Sequence, residues 1–185
     1  MSTTPDFPEP KKWRIPRYRP NHDLPPYRYV PLGRHPHPTM DQGGHMHDKV
    51  SAPSQEPSEL AWMTNHYWLY GVDLFNHWYF WEATEYWTAL WAALPKNEPP
   101  AQFIQALTMF SGGIIKAHCT ELDGVRKFWQ EGDARLSSLA NHYSTLWGVK
   151  LVKTHRDFRR FYKPLWKSGE LPSLTKHVPQ LRLPI

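Results

Sequence analysis

The spacing of apolar positions changes character at Pro57. Before it, hydrophobic residues stand singly among prolines; after it, they recur at steps of three and four, the period of one helical face. Leu60, Met63, Tyr67, Tyr70, Gly71 and Leu74 keep that step, and Pro57 suits a first turn, so the pattern predicts a helix over about Pro57 to Phe75. A tight connection at Asn76-His77 leads to a second helix, whose Phe80, Thr84, Trp87, Trp91 and Leu94 mark one face and whose end is forced by Pro95. The two read as an antiparallel helical hairpin. Pro99 and Pro100 open a third helix with Phe103, Ile104, Leu107, Phe110, Ile114 and His118 on one side. Gly112-Gly113 in its middle weakens it by roughly 1 kcal/mol per Gly relative to Ala, a loss that close helix packing offsets. Thr120 with Asp123 forms a capping box for a fourth helix, the cleanest amphipathic run, carrying Leu122, Val125, Trp129, Gly132, Leu136, Leu139 and Tyr143. Thr154 with Asp157 suggests a second capping box, opening a shorter helix with Phe158, Phe161, Tyr162 and Leu165 on one side and limited by Pro164.

The flanks are different in kind. Residues 1–56 hold Pro5, Pro8, Pro10, Pro16, Pro20, Pro25, Pro26, Pro31, Pro36 and Pro38, which fix φ and remove backbone donors, so regular helix or central strand is excluded there. Yet Leu24-Pro25-Pro26-Tyr27-Arg28-Tyr29-Val30-Pro31 is too aromatic for a plain linker. An arm that is loose over about its first 20 residues and docked thereafter is expected. Residues 169–185 read as an extended tail in which Val178, Leu181, Leu183 and Ile185 alternate with polar residues or proline. The expected fold class is therefore all-α: a compact bundle of about five helices over residues 57–168, with a Pro-rich extended N-terminal arm and an extended C-terminal tail laid on it.

Composition sharpens this picture at three points. Aromatic residues make up 15% of the 185, with 10 Trp, while the mean hydropathy is −0.66, so apolar mass is concentrated rather than spread. The net charge of +5 has no dense basic block behind it, which favours a solvated basic surface over nucleic-acid binding. The lone Cys119 forms no internal disulfide, no secretory signal pattern opens the chain, and no apolar stretch of ~18 residues is present; a soluble cytoplasmic protein with no membrane contact is expected.

The chemistry of interest lies in the second helix. Its core face leaves Glu82 and Glu85 roughly opposite, but Trp78, Trp81 and Tyr86 share that opposite side, so the helix is apolar nearly all round and must be covered on two sides. Carboxylates under such a cover require a partner. The candidates are a metal ion, a cationic ligand, or an arginine of the arm; Arg28 or Arg34 clamping Glu82 or Glu85 is the simplest and is favoured.

Together with Phe103-Ile104-Gln105-Ala106-Leu107, the stretch Asn76-His77-Trp78-Tyr79-Phe80-Trp81-Glu82-Ala83-Thr84-Glu85-Tyr86-Trp87-Thr88-Ala89-Leu90-Trp91 resembles the bacterial and archaeal helical family known as domain of unknown function 309. The resemblance covers approximately Leu60 to Leu139, implies the same helical architecture and implies no established activity. Glu82, Glu85, Trp91 and Gln105 match its pattern. The family's helix typically carries a histidine before the second glutamate and a further glutamate beyond, where this chain has Thr84 and Thr88, so a role that depended on that imidazole does not carry over. The arm from Pro25 to Pro38 also resembles the N-terminal extension of some longer members.

Other clusters are less telling. His35, His37, His45 and His47, near Asp41 and Asp48, form the most metal-like group by composition, but His-Pro-His-Pro is extended and points its side chains apart, so polar histidines in a docked loop are expected. His118 and Cys119 are adjacent on a helix and diverge, which disfavours a nucleophilic pair and leaves Cys119 as a small core residue. His66 and His77 could face the carboxylates but read as packing histidines. No phosphate-cradling glycine loop or nucleophile elbow is present. The sequence thus points to a non-catalytic helical protein that assembles with itself, most simply as a homodimer, or binds another protein, with no cofactor. The alternative is a hydrolase-like enzyme in which Glu82 and Glu85, assisted by Gln105 and a histidine, act in a tryptophan-lined pocket by acid-base chemistry or with a divalent metal.

Overall fold

In the computed structural model, residues 4–10, 15–49, 53, 57–175 and 178–184 are described. Five α-helices carry the fold: α1 (His66–Asn76), α2 (Phe80–Ala92), α3 (Pro99–His118), α4 (Leu122–His142) and α5 (Leu151–Lys167). A 3₁₀ helix, Glu59–Thr64, precedes α1. The fold is an all-α bundle in which each helix packs on the next, and rings close the circuit. Phe110 of α3 stacks on Phe158 of α5 at 4.0 Å, and Phe158 in turn meets Phe75 of α1 at 6.0 Å.

Helix contact is close where glycine permits it. A Cβ on Gly113 would lie 2.5 Å from the hydroxyl of Tyr162, which is fully buried and donates to the Phe110 carbonyl at 2.8 Å. This is the packing expected to offset the helix-weakening pair Gly112-Gly113.

Three elements differ from the sequence expectation, each for a local reason. The first helix does not run unbroken from Pro57: Asn65 is extended (φ −73°, ψ 111°), and its side chain accepts the Trp68 N–H at 2.9 Å, so α1 starts afresh behind an asparagine cap. Leu60 and Met63, expected on the core face, are consequently exposed. The Thr120 capping box does not form. Thr120 has φ 59°, its hydroxyl donates to the Cys119 carbonyl, and Glu121 takes the cap position.

The fifth helix begins at Leu151, with Thr154 inside its first turns, because a short hairpin precedes it. That hairpin pairs β1 (Thr145–Leu146) with β2 (Val149–Lys150) in the register Thr145↔Lys150 and Leu146↔Val149. Trp147 and Gly148 both have positive φ (49° and 74°), as a two-residue turn matching strand twist requires. Trp147 tolerates this because it is wholly buried: its ring lies 5.7 Å from Trp68 and its N–H donates to Glu59 at 2.6 Å. Pro164 sits inside the last turn of α5 and does not end it.

The arm and tail are packed. Phe7 is buried edge-on against Phe80 and stacks on His118, so the expected loose beginning does not apply to residues 4–10. Of that expected loose stretch, residues 1–3 and 11–14 lie outside the described residues. Farther along, Tyr70 and Tyr79 of the bundle donate their hydroxyls to the arm carbonyls of Asp23 (2.7 Å) and Pro25 (2.9 Å). Proline-rich backbone lacks donors but keeps its acceptors, which is what tyrosine hydroxyls can hold. The tail is pinned by Asn76, which exchanges two hydrogen bonds of 2.8 Å with the backbone of Leu181. Leu181 and Leu183 are buried; Ile185 lies outside the described residues. No helix among the described residues is long and apolar enough to cross a membrane.

Candidate functional site

Among the described residues two carboxylates are wholly buried, and both receive the arm. Glu82 projects from α2 toward the arm, and its Oε1 accepts the Tyr29 N–H at 2.9 Å. The ring of His45 closes over it, with Nε2 3.4 Å from the same oxygen, an ion-pair approach without hydrogen-bond geometry. Glu82 Oε2 and both His45 ring nitrogens are buried with no hydrogen-bond partner among the described residues. Aromatic rings form the surround. Tyr27 stacks on His35 at 4.4 Å and meets His45 edge-on at 4.3 Å, while Tyr29 and His37 both meet Trp81 edge-on, at 5.2 and 4.9 Å.

The second buried carboxylate, Asp73 of α1, is one that the sequence reading missed. It accepts the N–H groups of Tyr18 (2.7 Å) and Arg19 (2.8 Å) and the Nε of Arg17 (3.1 Å). The signal was present, since Asp73 is the only charged residue between His66 and Asn76 and its neighbours Val72 and Leu74 are both apolar. A carboxylate so placed needs donors from outside its own helix.

The expected arginine clamp is not formed. Arg28 pairs with Glu9 at 2.8 Å, donates to the His77 carbonyl and lies 4.5 Å over the Tyr79 ring; Arg34 pairs with Asp6 at 2.6 Å. Backbone N–H and imidazole take the place of guanidinium because the arm crosses Glu82 with its main chain inward at Tyr29. Glu85 is half-buried and makes no side-chain hydrogen bond or ion pair among the described residues; burial first, and then the charge of Glu82, raises its carboxyl above the usual value. Gln105 is half-buried and its side chain bonds to neither carboxylate.

The remaining candidates scatter. Trp78 turns to another face, where it lines a surface cleft with Arg156 and Arg160, and Tyr86 packs on Tyr70 at 4.9 Å. His66 is enclosed by Tyr67, Tyr70 and Tyr86. Burial, with smaller contributions from His22 and Arg19, lowers its imidazole to about 4. His77 bonds the Asp73 carbonyl at 2.8 Å through Nδ1. His35, His37, His45 and His47 share one loop but do not converge: among the described residues no three His, Cys, Asp or Glu side chains are placed to hold a metal ion. His47 pairs instead with Asp48. Cys119 is half-buried, and burial raises its thiol.

A carboxylate against an imidazole is a proton-transfer pair in chemical type. Substrate would have to reach it, however, and the arm residues Tyr29 and His45 occupy the approach. Two surface clefts of about 630 and 620 Å³ lie elsewhere, and neither is lined by Glu82, Glu85 or Gln105.

The two carboxylates therefore have separable effects on stability. Glu82→Ala removes a buried acceptor and strands the Tyr29 N–H, with an expected loss of about 2 kcal/mol. Glu85→Gln should be neutral or stabilising at pH 7. Its raised folded pKa means that its contribution to stability is fully present below the ordinary carboxyl value and is lost as pH rises through the raised one. Replacing both Glu82 and Glu85 should therefore cost about what replacing Glu82 alone costs. Thermal melts of the two single variants between acid and neutral pH check this, and equal destabilisation by Glu85→Gln would contradict it.

Searches of curated proteins and of solved structures find no match to this chain. Residues 68–128, from the first turn of α1 into α4, match the family model described as domain of unknown function (DUF309). That stretch contains Glu82, Glu85 and Gln105, and over it the chain is similar to the DUF309 family.

Proposed function

We propose that this chain is a non-catalytic helical protein that binds a protein partner across the surface formed by α5, the arm and the tail. The observation that carries this reading is the sealing of Glu82. The chain's most reactive-looking pair is used to seat its own arm, while the open clefts are lined by side chains of α5, the arm and the tail in which cations outnumber carboxylates. A hydrolytic site would need both carboxylates to meet substrate. A reducing, cytoplasmic home belongs to the proposal and rests on the lone Cys119.

A photo-cross-linking residue at Arg156, compared with one at the exposed Gln130 of α4, tests it in the native cell. Adducts of discrete mass from position 156 and none from position 130 are expected; the reverse pattern, or none from either, overturns the reading.

Self-assembly is a second reading, favoured by the exposure of Leu60 and Met63. The buried Leu181 and Leu183 of the tail are already engaged within the chain. A homodimer would be the simplest closed form. Sedimentation should then show a dimer that Leu60→Asp abolishes, and a monomer at high micromolar concentration would count against it.

A further inference from the structure

We propose that the two clefts form one groove for an extended acidic polypeptide segment bearing apolar side chains. The inference rests on the partner-binding reading above and names the chemistry of that partner. Lys153, Gln180 and Arg182 line both clefts, so the two share a wall and adjoin. The tail residues Val178 to Pro184 border the combined groove, a span of at most about 25 Å for extended chain.

Its charge is one-sided. Lys153, Arg156 and Arg160 lie at steps of three and four on one face of α5, Lys150 stands at the cap of that helix, and Arg182 reaches in from the tail. The carboxylates present are already engaged: Glu9 with Arg28, Asp157 with Lys153 at 2.6 Å, and Glu59 with the Trp147 N–H. Lys150, Arg156 and Arg182 have no hydrogen-bond or ion-pair partner among the described side chains, so the groove presents uncompensated positive charge.

Its ends are apolar. At one, Trp78 is held at φ 68°, a conformation that a bulky residue rarely adopts and that persists only where the surroundings enforce it. At the other stands Leu60, 87% exposed. Cations between apolar ends match a polypeptide whose carboxylates alternate with apolar anchors. An oligonucleotide fits less well, because its phosphates would meet the cations but leave the apolar side chains of Trp78 and Leu60 without a counterpart.

The test titrates the full chain with three labelled probes: a synthetic dodecapeptide alternating Glu with Leu and Phe, the same peptide with Lys for Glu, and oligothymidine. The acidic peptide should bind saturably, more weakly as salt rises, and in preference to both others. Arg156→Glu with Arg182→Glu should weaken it by at least about tenfold with the thermal midpoint unchanged, while Lys127→Glu on α4 should not. Failure of the acidic peptide to bind, indifference to the double reversal, or tighter binding of oligothymidine each overturns the proposal. If the peptide fails but cross-links still form at position 156, the partner's chemistry is wrong and the partner-binding reading stands; if both fail, both fall.

Discussion

Asp73→Ala should lower the unfolding free energy by about 3 kcal/mol and release the arm to protease, the largest effect expected from any polar substitution in this protein. The carboxylate is fully buried and takes three donors from one short stretch of arm: the N–H groups of Tyr18 and Arg19 and the Nε of Arg17. Removing it leaves two peptide donors without their acceptor at the arm interface, and a part-buried guanidinium without counter-charge. Arg28→Ala provides the contrast. Its partner Glu9 is 83% exposed, so the ion pair itself contributes less than about 1 kcal/mol. Urea unfolding of both variants, with trypsin cleavage at Arg17, checks the ranking. A wild-type midpoint and an uncut arm in Asp73→Ala would show that the carboxylate does not anchor it.

Gly71→Ala is expected to destabilise by about 2 kcal/mol, although Ala is the better helix former by about 1 kcal/mol. The added methyl would lie 2.6 Å from Trp87 Cδ1 and closer still to Nε1. Trp87 cannot yield: it is fully buried, packed between Trp68 at 6.0 Å and Phe75 at 5.6 Å. α1 would have to move off α2, opening the centre of the bundle. Gly112→Ala, whose methyl meets the rim of the half-buried Phe128 ring at 2.8 Å, should be nearly neutral because that ring can turn outward. Calorimetry of the two variants separates them, and equal midpoints would mean that the α1–α2 contact is looser than its geometry indicates.

What could be read from the sequence alone follows a physical division. Helices α3 and α4 were legible because their stability comes from a single apolar face packed on a core. Phe103, Ile104, Leu107, Phe110 and Ile114, then Val125, Trp129, Gly132, Leu136 and Leu139, are buried as their spacing requires, while His118 and Leu122 at the helix ends are half-buried and Tyr143, just past α4, is exposed. Proline excluded regular structure from the arm by local covalent geometry, and its aromatic content indicated docking. The cover over Glu82 on α2 was also legible from its apolar surround, although the helix keeps Thr88 and Ala92 exposed.

Other features were set by contacts distant in sequence. The partner of Glu82 comes from Tyr29 and His45, 53 and 37 positions away, and nothing local distinguishes a backbone N–H from an arginine as the donor that arrives. Trp147 accepts a left-handed backbone because Trp68 and Glu59 hold it from elsewhere in the chain. Thr120 and Thr154 matched a capping pattern, but the chain arrives at each from a direction that only the packed bundle fixes. Periodicity and covalent stiffness act within a few residues, so the sequence by itself determined the helices and the arm. Which polar group meets which buried carboxylate depends on the path of the arm across the bundle, and only the tertiary structure decided that.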